Sequence, residues 1–273
     1  MTDLTINTDV AHQILTSFIT SEIRRVGFSR AVIGLSGGID SALSFVLAVE
    51  ALGRENVLAL RMPYKASSAD SLEHAGLLIE QFNTPHETVE ITPMVEPLFA
   101  SDADMSKQRK GNIMARERMI VLYDRSEAFK GLVVGTSNKT EILLGYSTLW
   151  GDMASALNPI GDLYKTQVRQ LSRALGIPSV IVDKPPSADL WLGQTDEGEL
   201  GFTYEEVDKL LYLLVDQRYS ARECVEEGFD QEFVGSVLKR VQRSQFKRMM
   251  PPIAKVSNRT IGYDFLYLRD WGT

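Results

Sequence analysis

The sequence predicts an α/β fold: a parallel sheet covered by helices on both faces, with extra helices toward the carboxy terminus. Three observations predict it. Short apolar runs alternate with helical periodicities through the first half of the chain. Those runs are apolar at successive positions, the pattern of strands buried on both faces. Beyond Gly135 strand signals fade while helical spacing continues. Strand–helix–strand alternation builds parallel units whose crossovers lie over the sheet.

Taken in order, Val10, Ile14, Leu15, Phe18, Ile19 and Ile23 recur at three- and four-residue spacing and mark an amphipathic helix that Gly27 ends. Arg30 to Leu35 reads as a buried strand, Asp40 to Leu52 as a helix, and Asn56 to Met62 as the next strand, closed by Pro63. Ser67 to Phe82 is helical and His86 to Ile91 is a third strand. A long helix follows over Asn112 to Lys130, then a strand over Gly131 to Gly135. Asn138 to Leu144, Thr166 to Leu175, Tyr204 to Asp216 and Gln231 to Gln245 all have helical spacing. Lys184 to Phe202, with two prolines and several acidic residues, reads either as a solvated loop or as a lid.

The 273 residues, 44% apolar and 24% charged, suit one generous domain or two small ones and argue against disorder. Twenty-nine basic against 36 acidic residues leave a net charge of −7. Tracking a phosphate backbone needs a basic face, so no nucleic acid partner is expected. The single cysteine, Cys224, excludes an internal disulfide framework and a multi-cysteine zinc site. It lies in helical-looking sequence with no neighbouring histidine to activate it, so it reads as a structural thiol. No basic leader precedes an apolar stretch and no run approaches the ~18 apolar residues of a membrane span. A cytoplasmic chain without membrane contact is expected.

The most specific chemical signal is Gly34-Leu35-Ser36-Gly37-Gly38-Ile39-Asp40-Ser41, directly between the first strand and a helix. Adjacent glycines allow close approach and positive φ, and the N–H groups that open a helix attract anions. Ser36 and Ser41 offer hydroxyls to phosphate oxygens, and Asp40 offers a hard oxygen for Mg²⁺. The competing reading is a tight turn with a capping aspartate. The segment is not a Walker A loop, because no Lys-Ser or Lys-Thr follows the glycines, nor a Gly-x-Gly-x-x-Gly fingerprint.

This loop resembles that of the PP-loop ATP pyrophosphatase superfamily. The likeness implies a Rossmann-like, adenine nucleotide alpha hydrolase-like sheet, with ATP as co-substrate cleaved between its α- and β-phosphates. Further segments resemble NAD synthetases. They are Gly111 to Met119, Val134 to Glu141, Asn158 to Val168, and Lys184 to Leu190 followed by Gly193 to Glu197. Together with the loop they follow the family's order over most of Arg30 to Phe202. The resemblance implies one synthetase domain over residues 1–273 without an amino-terminal glutaminase domain. It implies amidation of deamido-NAD to NAD, the last step of NAD biosynthesis, through an acyl adenylate, with ammonia as nitrogen donor.

Carried over residue by residue, the resemblance assigns Gly34, Leu35, Ser36, Gly37, Gly38, Ile39, Asp40 and Ser41 to ATP, with Thr136, Lys165, Ser187 and, more weakly, Arg61. Asp40 and Glu141 would hold Mg²⁺, and Asp40 and Lys165 would be the catalytic pair. Arg116, Thr148, Asp152 and Lys247 would hold deamido-NAD. The residues themselves allow plainer readings: Arg116 on a solvated helix face, Glu141 paired with Lys139 or Lys165, Lys247 at a charged helix end. Leu149, Ala156 and Phe246 depart from the ammonia-dependent form, which carries Lys, Asp and His there. Thr148 to Ala154 resembles glutamine-dependent members instead, so a separate glutaminase partner stays open. A homodimer is implied, with Asn112 to Lys130 contributing. The alternatives are another PP-loop adenylating ligase and a non-catalytic adenine-nucleotide-binding protein. His12, His74 and His86 fall outside every motif and read as surface or structural.

Overall fold

The computed structural model describes residues 3–187 and 195–266. Helix α1 (Thr8–Arg25) precedes β1 (Ala31–Gly34), followed by α2 (Ile39–Leu52), β2 (Val57–Arg61), α3 (Ala69–Phe82) and β3 (His86–Thr88). Then come α4 (Thr92–Ala100), α5 (Lys107–Phe129) and β4 (Leu132–Val133). The later elements are helical: α6 (Lys139–Leu144), α7 (Lys165–Ala174), α8 (Ser179–Val182), α9 (Asp196–Leu200), α10 (Tyr204–Leu211), α11 (Ala221–Glu226) and α12 (Gln231–Arg243).

The strands pair in parallel in the order β3-β2-β1-β4, with Ala31 opposite both Val57 and Leu132. Side chains of β1 alternate between two cores, as a strand's period of two requires. Ala31 and Ile33 pack with Ile19 and Ile23 of α1, Phe45 of α2 and Val168 and Leu171 of α7. Val32 points the other way, with Val95 and Phe99 of α4 and Met114 and Val121 of α5. Each fully buried side chain of this size contributes about 1.5–3 kcal/mol, which outweighs any local propensity in so short a strand. The expected α/β class with helices on both faces is therefore what forms. A third cluster joins α6, α10, α11 and α12 around Tyr164, Tyr204, Leu210 and Val237. Cys224 is fully buried there, and burial pushes its thiol above the usual range.

Several boundaries differ from expectation for physical reasons. The third strand stops at Thr88 rather than Ile91, and all three of its residues are exposed. It is the sheet's edge, so the apolar-on-both-faces pattern does not extend to it. Helix α4, where no element was expected, forms despite Pro93 and Pro97. Pro93 occupies the first turn, where its missing N–H has no role. The long helix opens at Lys107 rather than Asn112, with Ser106 accepting from the Arg109 N–H. The helix expected over Tyr204 to Asp216 ends as a π turn at Tyr212–Asp216. That turn brings Asp216 to the Lys139 ammonium (2.8 Å) and the Tyr164 hydroxyl (2.5 Å). His12 pairs with Glu50, His74 is buried, and His86 lies on the edge strand. Within the segment considered as a lid, residues 188–194 lie outside the described residues.

Candidate active site

A cleft of about 870 Å³ opens at the carboxyl ends of the strands. The sheet order places β2 on one side of β1 and β4 on the other, so the direction in which successive strands are added reverses there. Loops leaving such a switch point diverge, and ligands of open α/β sheets bind in the gap.

The glycine loop forms one lip. Gly37 has φ +80°, and a Cβ there would sit 2.2 Å from the Ser71 carbonyl oxygen, so only glycine fits. Ser41 Oγ donates to the Gly38 carbonyl (2.9 Å) and lies 3.0 Å from Ser36 Oγ, tying the turn to the start of α2. Gly38 is the helix N-cap and no side chain caps it. First-turn N–H groups are thereby left for a ligand in a loop whose residues line the cleft.

The floor gathers charge from three distant segments. The Lys165 ammonium donates to Asp40 Oδ2 (2.5 Å) and Glu141 Oε1 (3.1 Å) and lies 5.1 Å from the centre of the Tyr204 ring. Asn138, fully buried, joins the same group: its amide donates to Asp40 Oδ1 (2.8 Å) and its carbonyl accepts from the Glu141 N–H (3.0 Å). Burial works against the charge on Lys165, but Asp40 and Glu141 outweigh it and hold the amine above the ordinary lysine range. Burial pushes the Glu141 carboxyl up to about 8, with Lys165 opposing and Asp40 reinforcing the shift. Asp196 is also pushed up by burial; its Oδ2 accepts from the Tyr204 hydroxyl (3.1 Å), while its Oδ1 is buried without a hydrogen-bond partner among the described residues.

Three carboxyl groups face one lysine on this floor, and the burial that raises Glu141 and Asp196 marks a shortage of positive charge that a divalent cation would supply. Among the described residues no group of three or more acidic, histidine or cysteine ligands could hold a metal. A cation would therefore be shared between Asp40, Glu141 and phosphate oxygens, which is how Mg²⁺ is usually held.

The opposite wall is built from backbone. Lys247 donates to the carbonyls of Gly145 (2.8 Å) and Ser147 (2.6 Å), and Arg116 to that of Leu149 (3.2 Å). Asp152 accepts from the Thr148 N–H (2.8 Å), and the Thr148 hydroxyl bonds Asn112 (2.8 Å). Burial lowers the amine of Lys247, with Asp152 partly restoring it, and burial raises Asp152. Gly145 adopts φ +67°, and Ser244 fills the space a Cβ would need.

All the sequence-predicted site residues except Gly37 line this one cleft, including Arg61, Thr136 and Ser187. Arg61 Nε is buried without a partner among the described residues. Leu149 and Phe246 line it too, whereas Ala156 is part of the sheet margin, its N–H bonded to the Val133 carbonyl. The plain pairing of Glu141 with Lys165 is also present. Sequence reasoning missed Asn138, Asp196 and Asp208 as site-building residues. Asn138 stood inside a quoted motif. Asp208 was signalled only as an acidic residue among the apolar positions Val207, Leu210 and Leu211.

The NAD synthase family profile matches residues 11–251. A curated relative, the NH3-dependent NAD+ synthetase of Trichlorobacter lovleyi, is 59% identical over 272 residues and covers 100% of both chains. Among solved structures, the NMN synthetase from Francisella tularensis superposes with a TM-score of 0.80 at 34% identity, covering 92% of this chain and 99% of its own. An NH3-dependent NAD synthetase from Campylobacter jejuni, solved with a nitrate ion, superposes with a TM-score of 0.79 at 33% identity, covering 92% and 100%.

Proposed function

Because the chain belongs to the NAD synthase family, we propose that it amidates the nicotinate carboxylate of deamido-NAD with ammonia, driven by cleavage of ATP to AMP and pyrophosphate. The observation that carries this reading is the cluster of Asp40, Glu141 and Lys165 beside the glycine loop, in a cleft that continues to Arg116, Thr148 and Asp152.

In the first step a nicotinate oxygen attacks the α-phosphorus of ATP, giving an acyl adenylate and releasing pyrophosphate. Ser36, Ser41 and the N–H groups opening α2 hold the phosphates being separated. Lys165 places positive charge where negative charge builds on the α-phosphate. Mg²⁺ shared by Asp40, Glu141 and the phosphates would supply charge neutralisation there. Arg61, Thr136 and Ser187 complete the ATP side. In the second step ammonia attacks the activated carbonyl, and AMP leaves as NAD forms. No side chain becomes covalently attached, so the acceleration comes from positioning and electrostatics.

Arg116, Thr148, Asp152 and Lys247 shape the acceptor end, with the backbone of 145–152 presenting the contacts that Leu149 and Phe246 do not provide as charged groups. Ammonia as donor agrees with the relatives' names, against the local likeness of Thr148 to Ala154 to glutamine-dependent members. The chain is proposed to act in the cytoplasm as a homodimer through α5, whose Ile120 and Tyr123 are exposed. Among the described residues no helix is long and apolar enough to cross a membrane.

The test supplies purified protein with Mg-ATP and each combination of deamido-NAD or nicotinate mononucleotide with ammonium or glutamine. Deamido-NAD with ammonium is expected to yield NAD and AMP in equal amounts. Preference for the mononucleotide would make the product the one in the Francisella neighbour's name, and absence of AMP in every arm would refute the ligase reading.

A further inference from the structure

We propose that Asp208 is a positioning residue that sets Lys165 and Glu141 in register with each other from behind the cleft. Asp208 is fully buried on α10 and is not among the residues lining the cleft. Its Oδ1 accepts from the Thr140 hydroxyl (2.6 Å) and its Oδ2 from the Thr166 N–H (2.8 Å). Thr140 directly precedes Glu141, and Thr166 directly follows Lys165. The Thr140 oxygen in turn accepts from the Lys165 N–H (3.0 Å), closing a small network across α6, α7 and α10.

The arrangement answers a problem the floor creates. Lys165 and Glu141 belong to different helices, and their ammonium–carboxylate contact would allow sliding if it were the sole link. A single carboxylate with two acceptor oxygens ties the backbone beside one residue to the side chain beside the other. Charge-assisted bonds of this kind are short and directional. An apolar side chain among Val207, Leu210 and Leu211 would avoid the desolvation cost of a carboxylate but would leave the Thr166 N–H and the Thr140 hydroxyl without acceptors. Tyr204, one helical turn before Asp208, carries the ring beneath the Lys165 ammonium, so α10 supports the same lysine at two points. Displacement of a reacting group by about 1 Å can cost ~100-fold in rate.

The proposal rests on the amidation reading for its kinetic arm, and a binding arm stands without it. Asp208→Asn keeps volume while exchanging one charge-assisted acceptor for a donor. Thr140→Val removes only the hydroxyl at nearly constant shape, and Thr140→Ser returns it. Each folded variant is measured for Mg-ATP affinity by calorimetry and for kcat and both KM values. Both disrupting variants are expected to weaken kcat/KM and affinity for Mg-ATP by about 10- to 100-fold, the usual range for residues that orient metal and phosphate ligands. KM for deamido-NAD should stay within about twofold, and Thr140→Ser should recover most of the loss. Unchanged Mg-ATP constants in folded Asp208→Asn, or a loss confined to the KM of deamido-NAD, would overturn the proposal. If Asp208→Asn does not fold, Thr140→Val decides by the same criteria. A wild-type protein that makes no AMP would refute the amidation reading, while the calorimetry still judges Asp208.

Discussion

At the phosphate end of the cleft Lys165 is 2% exposed and its ammonium is shared by two carboxylates. At the opposite wall Lys247 is half-buried and its ammonium is shared by two backbone carbonyls. Both amines lose hydration, yet the first is held above the ordinary lysine range and the second falls below it. The difference lies in the partners. Full negative charges repay desolvation, whereas carbonyl dipoles repay less. One end of the cleft is therefore a side-chain charge cluster, and the other is a loop whose shape is fixed by cations bound to its backbone. Arg248 extends that second pattern, bonding the carbonyls of Ile142, Leu143 and Val241. Substitution at Leu149 or Phe246 leaves such a wall standing, because the carbonyls it uses belong to any residue.

Interventions at the two ends should separate accordingly. Chelation of divalent cations is expected to abolish turnover, with full recovery on adding Mg²⁺ and no change in the melting temperature, since no protein-only metal cage exists among the described residues. Replacing Lys165 by Met should lower kcat by about 100- to 1,000-fold, the range for removing one electrostatic contact to a transition state; steady-state kinetics on folded protein checks it. Replacing Lys247 by Met should raise the KM of deamido-NAD by roughly 10-fold, about 1.4 kcal/mol of binding, with the KM of Mg-ATP unchanged.

The pH dependence should show the same split more gently. Burial lowers the Lys247 amine, so its charge is lost as pH rises, before an ordinary lysine would lose its own. The KM of deamido-NAD should rise between neutral pH and about pH 10, and Lys247→Met should flatten that rise. Lys165, held above the ordinary range, stays charged across the same interval. Smallest of all, Phe246→Ala at a side chain 62% exposed should alter either KM by less than about twofold.

The phosphate end was legible in the sequence because its decisive features are contiguous. Three glycines, two hydroxyls and Asp40 stand within Gly34 to Ser41, and local spacing alone specifies a strand-to-helix turn. What stayed hidden depends on contacts far apart in the chain. Lys247 reaches carbonyls 100 and 102 positions away. Such carbonyl contacts leave no residue-type signature to find. Asp208 was visible only as a charge on an apolar helical face. The strand at His86 was expected and forms but ends at Thr88, and α4, for which no element was expected, is set by helix-start geometry at Pro93.

Transfer of an oxygen atom tests the proposed reaction most directly, since an acyl adenylate forms only if the nicotinate carboxylate bonds the α-phosphorus. Deamido-NAD labelled with ¹⁸O in both carboxylate oxygens is incubated with the protein, Mg-ATP and ammonium, and the products are weighed by mass spectrometry. One labelled oxygen is expected in each AMP phosphate, one in the carboxamide of NAD, and none in pyrophosphate. Unlabelled AMP, or label released to pyrophosphate or inorganic phosphate, would contradict the proposed reaction.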